Sequence, residues 1–290
     1  MSAAAVEGGR PVTLARRRAT VPPALIAGGV TVGLLILVAL LAPVLAPADP
    51  AAGSLDERLL GPGSPGHLLG TDGQGRDLLS RLIWGARPSL VTGILPVLVS
   101  GLLGIALGMI AALGSPRVET IVMRVLDVFL AFPSVLLAIA ITASLGPSVT
   151  SLVIALSVIL VPAVTRVVNT EVKRLRALDF MDVARVSGAG AFAIAWRQVL
   201  PVIRPVVTVY CASLVGISVI IAAGLSFLGL GVAPPDAEWG SILNELRQSL
   251  FTDPVLALLP AGAIFLASAA FNVLGDGLRA YFEVRTEPGR

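Results

Sequence analysis

Few side chains in this 290-residue chain have the type and spacing for covalent or metal chemistry. There is one histidine, His67, which cannot by itself build a metal centre or a nucleophilic triad. There is one cysteine, Cys211, set in an apolar run. No intrachain disulfide can therefore form, and the thiol reads as a small buried hydrophobe. Of the 21 basic residues only Lys173 is a lysine, flanked by Val172 and Arg174. A phosphate-binding loop needs Gly-Lys-Ser/Thr, so that backbone donors and the lysine cradle the phosphates together. The expectation is a chain that is not an enzyme and holds no cofactor or metal of its own. What remains is recognition, concentrated in Asp179–Pro205, DFMDVARVSGAGAFAIAWRQVLPVIRP, a polar, arginine-bearing stretch between long apolar runs.

The elements that must position this stretch are membrane helices. The chain is 56% hydrophobic and 13% charged, against roughly 25% charged in soluble domains. A net charge of +3 and a pI near 9.7 reflect arginines at membrane edges rather than a nucleic-acid-binding patch. A tail expected over residues 1–23 carries Arg16-Arg17-Arg18, after which an uncharged run extends from Ala19 to Ala48. That run exceeds the ~7–15 residues of a signal-peptide core, so a retained span is expected at 24–46. Residues 47–87 form a polar Gly/Pro-rich external segment. Its Leu78, Leu79, Leu82 and Ile83, interleaved with Arg76, Asp77 and Arg81, suggest an amphipathic helix in the membrane interface. Further spans are expected near 89–113, 121–144, 149–168, 204–226 and 254–277, the third and fourth separated by Gly146-Pro147-Ser148. A tail follows at 281–290.

Six spans place both termini on one side, and arginine asymmetry selects which. With cytoplasmic termini, 16 basic residues lie inside and five, Arg58, Arg76, Arg81, Arg87 and Arg247, lie outside. The 166–204 loop is then cytoplasmic and residues 227–253 external. Arg124 with Asp127, and Asp276 with Arg279, stand at i, i+3 near the inner ends of spans and are expected to pair locally. No ionisable residue lies at mid-depth of a span. That argues against a secondary, ion-coupled transporter, the alternative for a multi-pass chain. A membrane-embedded enzyme would need clustered acids, bases or metal ligands.

Within the 170–203 loop, Phe180, Val183, Ala184 and Ser187 share one helical face, and Phe192, Trp196, Val199, Leu200 and Ile203 share another. Gly188 between them permits a turn. Two short helices hinged at a glycine make a compact projection that fits a groove on a partner. An ordinary loop between spans fits the same pattern. In the external run SFLGLGVAPPDAEWG, Gly229, Gly231, Pro234 and Pro235 interrupt regular helix, while Asp236 is acidic and Trp239 suits an interface. The segment reads as a gate or docking surface, or as a re-entrant loop that closes the bundle.

DVARVSG followed by VLP, with Gly188 six residues after Asp182 and Pro201 thirteen after that, resembles the EAA loop of ABC-importer permeases. By that resemblance Asp182 stands at the glutamate position, one methylene shorter. Val183 and Ala184 stand at the alanines, Gly188 at the glycine with Ala189 beside it, and Leu200-Pro201 at the end. HLLGTDGQGRDLLSRLIWGARPSL, DVFLAFPSVLLAIAI, LSFLGLGVAPPDAEWG and FNVLGDGLR resemble the dipeptide, oligopeptide and nickel permeases, in the second-permease type with an extra N-terminal span. The resemblance implies an all-α membrane fold of six helices: a type I ABC importer transmembrane domain, with a five-helix core over 88–280. It also implies partners: a second homologous permease, two ATPase subunits that bind ATP and Mg and dock on the loop, an extracytoplasmic solute-binding protein, and the lipid bilayer. The implied location is the bacterial cytoplasmic membrane.

Overall fold

A computed structural model describes residues 21–179, 181, 186–188 and 190–286. Among these the chain is helical apart from turns and isolated bridges. Helix α1, Pro23–Leu40, starts with proline in its first turn, where the missing N–H costs nothing. The turn Ala42–Leu45 and the segment 46–77 lead to α2, Leu78–Leu113, capped by the Asp77 carboxylate, which accepts from Ser80 N at 2.8 Å. Then come α3, Pro116–Leu130; α4, Ser134–Leu145; and α5, Val149–Arg176, entered through a reciprocal Ser148–Ser151 capping box. Helix α6, Ala191–Phe227, includes a widened π turn at Ala195–Val199. The short α7, Trp239–Glu245, and the long α8, Pro254–Thr286, complete the described residues. Among the described residues five helices are long and apolar enough to cross a membrane, six if the bent α3–α4 pair counts as one span.

Two sequence expectations change here. No separate interfacial helix precedes the second span: the expected amphipathic turn and the span are one 36-residue helix. Pro88 is absorbed at the loss of one backbone bond. Nor does the face bearing the charges of that turn meet headgroups, because Arg76, Asp77 and Arg81 are buried among protein. The expected third span is two helices bent by 82° around Ala131–Pro133. Pro133 disfavours helical backbone at the residue before it, Phe132, and here the chain breaks.

Close approaches of glycines to neighbouring helices fix the topology. Added Cβ atoms on Gly104 and Gly108 would lie 2.7 Å from Val164 and Val168, so α2 and α5 run parallel with a constant offset. Gly93 meets Val219 and Gly101 meets Cys211, so α2 and α6 are antiparallel. Gly216 against Asn272 and Gly275 against Ser213 make α6 and α8 antiparallel, and Gly28 against Leu274 seats α1 on α8. Small residues at these crossings suit a bundle in lipid, where helices associate by close packing rather than by escape from water. Arg87 fastens the end of α1 to α2. It stacks on Trp84 at 4.7 Å and donates to the Ala39 and Leu40 carbonyls, which the helix end leaves without backbone partners. Leu152, Leu156, Val164, Val168 and Val172 make α5 the buried centre. We call the end of the bundle that carries residues 46–77 the capped end, and the end that carries residues 177–190 the loop end.

Candidate functional site

At the loop end, α5 finishes in Lys173, Arg174 and Arg176, cations favoured by the helix C-terminal dipole. They and their neighbours tie α5 to the preceding helices. Lys173 Nζ lies 2.8 Å from Glu119 Oε1, Asn169 donates to the same oxygen at 3.3 Å, and Arg176 donates to the Ala112 carbonyl. Asp127 pairs across helices with Arg166 at 2.5 Å, not with Arg124 as its spacing suggested. Asp276 and Arg279 are both exposed and form no ion pair with each other among the described residues. Helical spacing puts such residues in reach of each other, but a cross-helix partner or solvent competes successfully at a membrane edge.

Beyond α5, Met181 is buried, whereas Val186 is exposed. Gly188 has φ +80°, the left-handed conformation expected of a turn at that glycine. Asp182, Val183, Ala184 and Ala189 lie outside the described residues, as does Phe180. Leu200 is half-buried and Pro201 exposed. The second expected helical face divides: Phe192 and Trp196 are 81% and 61% exposed, while Val199 and Ile203 are buried. The cause is the π turn, whose Leu200 N–H bonds back to the Ala195 carbonyl. One extra residue in the turn rotates everything before it relative to the span, and the wider turn relieves the clash that Pro201 would impose on a regular helix. Two aromatic side chains are thereby displayed beside the Gly188 turn.

At the capped end, Gly229 has φ +82° and lies exposed with Pro234, Pro235 and Asp236. Gly231 is buried so tightly against Ser226 that a side chain would strike its hydroxyl. Trp239 does not face the membrane interface as its type suggested. It is buried, its indole N–H donating to the Leu82 carbonyl at 2.9 Å and its backbone N–H to Ser89 Oγ at 3.1 Å. Tryptophan at an interface satisfies its N–H with headgroups or water; here α2 supplies the acceptor. Glu238, also buried, caps α7 by accepting from Gly240 N at 3.0 Å, Ser241 N at 2.9 Å and Ser89 Oγ at 3.0 Å. Burial pushes its carboxyl pKa up against the pull of these donors.

Local spacing gave no sign of a second capped-end feature, a buried cluster of four charges. Asp72 Oδ2 receives Arg76 Nε at 2.7 Å and Arg81 Nη1. Glu245 Oε2 receives Arg76 Nη2 at 2.6 Å and Arg81 Nη1 at 2.9 Å. The four formal charges sum to zero, as burial demands. Balanced acids and arginines in GTDGQGRDLLSR were the available signal; their partner Glu245 is 164 residues from Arg81. Beside the cluster, His67 Nδ1 lies 2.9 Å from Asp77 Oδ1 and Nε2 lies 3.6 Å from Glu57. The hydrogen bond to Asp77 leads the causes that raise the His67 pKa above 6.5. Among the described residues no three His, Cys, Asp or Glu side chains converge as a metal site.

Residues 104–288 match the family model of the binding-protein-dependent transport system inner membrane component. The chain belongs to that family. It is the permease subunit of an ABC importer, with the transmembrane fold of the type I class. Residues 12–62 of the permease match a second model, the N-terminal transmembrane domain of oligopeptide transport permease C, which covers α1 and the start of the 46–77 segment. The permease is 42% identical over 255 residues to a glutathione transport system permease protein of Pectobacterium atrosepticum, covering 88% of this chain and 84% of that one. It is 40% identical over 251 residues to a di/tripeptide transport system permease protein of Pseudomonas aeruginosa, covering 85% and 83%. A dipeptide transport system permease protein of Alkalihalophilus pseudofirmus is 38% identical over 254 residues, covering 88% and 83%.

Proposed function

We propose that this permease moves short peptides or a related small solute inward across the bacterial cytoplasmic membrane as a non-catalytic subunit. Its relatives' named solutes carry the reading: glutathione, dipeptides and di/tripeptides are all short peptides. The partners are a second homologous permease, two ATPase subunits that bind ATP and Mg, and a solute-binding protein. The 16-to-5 division of basic residues supports cytoplasmic termini, which makes the loop end internal and the capped end external.

The coupling surface in this reading is Asp182, Val183, Ala184, Gly188 and Ala189, with Leu200-Pro201 at its base. The left-handed turn at Gly188 and the exposed Phe192 and Trp196 support it, since aromatic side chains anchor grooves well. ATP binding by the partners would reposition this projection, and α6, which begins directly after it, would carry the displacement through the membrane. Gly229, Gly231, Pro234, Pro235, Asp236 and Trp239 serve the external gate or the binding-protein contact. The test is uptake of labelled dipeptide, tripeptide and glutathione into vesicles holding the reconstituted complex, its binding protein and ATP. Accumulation of at least one of these supports the reading. None accumulating, with ATP hydrolysis intact, refutes the peptide assignment. A cysteine at Ala189 that crosslinks to the ATPase supports the topology, and its labelling from outside refutes it.

A further inference from the structure

The capped end contains two kinds of backbone. Helix α7 is held at both ends. At its start, Trp239 and Glu238 bond to Leu82 and Ser89 of α2. At its finish, Glu245 meets Arg76 and Arg81. Those arginines also grip Asp72, so the cluster joins the 46–77 segment, the first turns of α2 and α7 in one network. More tethers run the same way. Leu78 N donates to the Gly70 carbonyl at 3.0 Å, Ala48 N to Ser80 Oγ at 3.0 Å, and Leu60 N to Thr71 Oγ1 at 2.9 Å. Gly75, at φ +74°, is pressed so closely on Ser54 that a side chain there would strike its carbonyl.

The stretch just before α7 is the opposite. Among the described residues, no backbone or side-chain hydrogen bond involves any residue from Gly231 to Ala237. Val232, Pro235 and Asp236 border an open cleft of about 810 Å³ whose far wall includes Asp49, Trp84 and Arg87. Gly231 and Ala237 are themselves buried, the first against Ser226, but the stretch between them, 232–236, has space beside it and few polar bonds to break when it moves.

We infer that residues 232–236 are the moving part of the capped end, and that Asp72, Arg76, Arg81 and Glu245 are positioning residues that hold α7 and the 46–77 segment as a fixed frame around it. The boundaries are the buried Gly231 and Ala237, the latter followed by the anchored Glu238. Within the proposed gate segment, Trp239 belongs to the frame, whereas Pro234, Pro235 and Asp236 belong to the moving loop. A buried, charge-balanced cluster suits a frame, because separating its members leaves uncompensated charge away from water. The inference rests on the proposed function only in using ATP to drive the cycle; uptake tests that function, and distances test this division.

Spin-label pairs are placed in the reconstituted complex with Cys211→Ser as background. One pair, Leu68→Cys with Gln248→Cys, runs from the 46–77 segment of the frame to the turn Arg247–Phe251 that directly follows α7, and both positions are exposed. The other, Leu68→Cys with Asp236→Cys, spans frame to loop. The expected result is one narrow distance for the first pair, unchanged between nucleotide-free and ATP–vanadate-trapped complex, and a shifted distance for the second. A shift in the first pair, or none in the second, overturns the division. Glu245→Gln, at a position 19% exposed and so the mildest break in the cluster, should broaden the first distribution and lower solute moved per ATP hydrolysed several-fold. Glu245→Asp should restore part of both. A merely structural role would lower uptake and hydrolysis together, in proportion to assembled complex. That result, an unchanged distribution, or failure of both variants to assemble would remove the positioning role.

Discussion

Gly188 offers the most direct test of the coupling reading, because its structure separates backbone conformation from packing. Its φ is +80°, and a Cβ added there would meet nothing within 4 Å. The cost of a substitution is therefore conformational. For alanine the left-handed backbone costs about 1–2 kcal/mol, which weights against the native turn by a factor of about 5–30. Asparagine visits this region more readily and should cost less. Proline fixes φ near −65° and cannot adopt the turn. The expected order of uptake per ATP hydrolysed is Gly, then Asn, then Ala, then Pro, in vesicles carrying equal amounts of assembled complex. Hydrolysis itself should persist in every variant, because the nucleotide sites lie on other chains in this reading.

Two results would refute that reasoning. Wild-type uptake with Gly188→Pro would mean that the turn transmits nothing. An order following side-chain volume, with Asn below Ala, would mean that Gly188 packs against a partner and that contact, not φ, decides the outcome. Gly75 provides a contrast, since it combines φ +74° with backbone contact to Ser54. There even alanine should impair folding.

Other positions give sharper structural readouts. Gly104→Val inserts a branched side chain where even an added Cβ would lie 2.7 Å from Val164, so overpacking should cost about 1–3 kcal/mol and lower the thermal midpoint of the complex. Gly29→Ala, with nothing within 4 Å, should leave that midpoint unchanged. His67 has a raised native pKa, so it stabilises the capped end below pH 6.5, and that stabilisation is lost as pH rises through the raised value. Hydrogen exchange of residues 46–77 should therefore speed up across that window beyond its intrinsic pH dependence, and His67→Gln should abolish the excess.

The apolar runs made most of the bundle legible, since spans need about 20 uninterrupted apolar residues. The Gly188 turn was legible because few residues other than glycine tolerate positive φ. The setting of the first turns of α2 was not. The helical pattern over Leu78–Ile83 is legible, but its charges suggest a separate helix at the membrane interface, whereas Arg81 is neutralised inside the protein by Asp72 and Glu245 and the helix runs straight into the span. No local pattern reveals a partner 164 residues away. Trp239 misled for the same reason, its acceptor being the Leu82 carbonyl on another helix. The exposed faces of Phe192 and Trp196 were hidden by a register shift, since periodicity assumes a uniform helix and the π turn breaks that assumption.

The distribution of fixed and free backbone gives α6 a particular place in the mechanism. As a 37-residue helix it spans about 55 Å, well beyond the ~30 Å of a bilayer core. It starts next to Gly188 and ends at Phe227, a few residues before the 232–236 loop, which forms no hydrogen bonds among the described residues. At its base, the π turn together with Pro201 and Pro205 removes regular backbone bonds, so bending is easiest there. Along its length, Gly93 against Val219 and Gly101 against Cys211 keep it close to α2 through small contacts, and Ser218 Oγ donates to the Thr92 carbonyl at 3.1 Å. Such a helix can tilt or slide against α2 while the charge cluster holds the start of α2 in place. Above that base α6 is continuous, and at its far end both Gly231 and Gly240 press on Ser226, so a displacement carried up from the Gly188 turn would act on the root of the loop on one side and be resisted by the frame on the other.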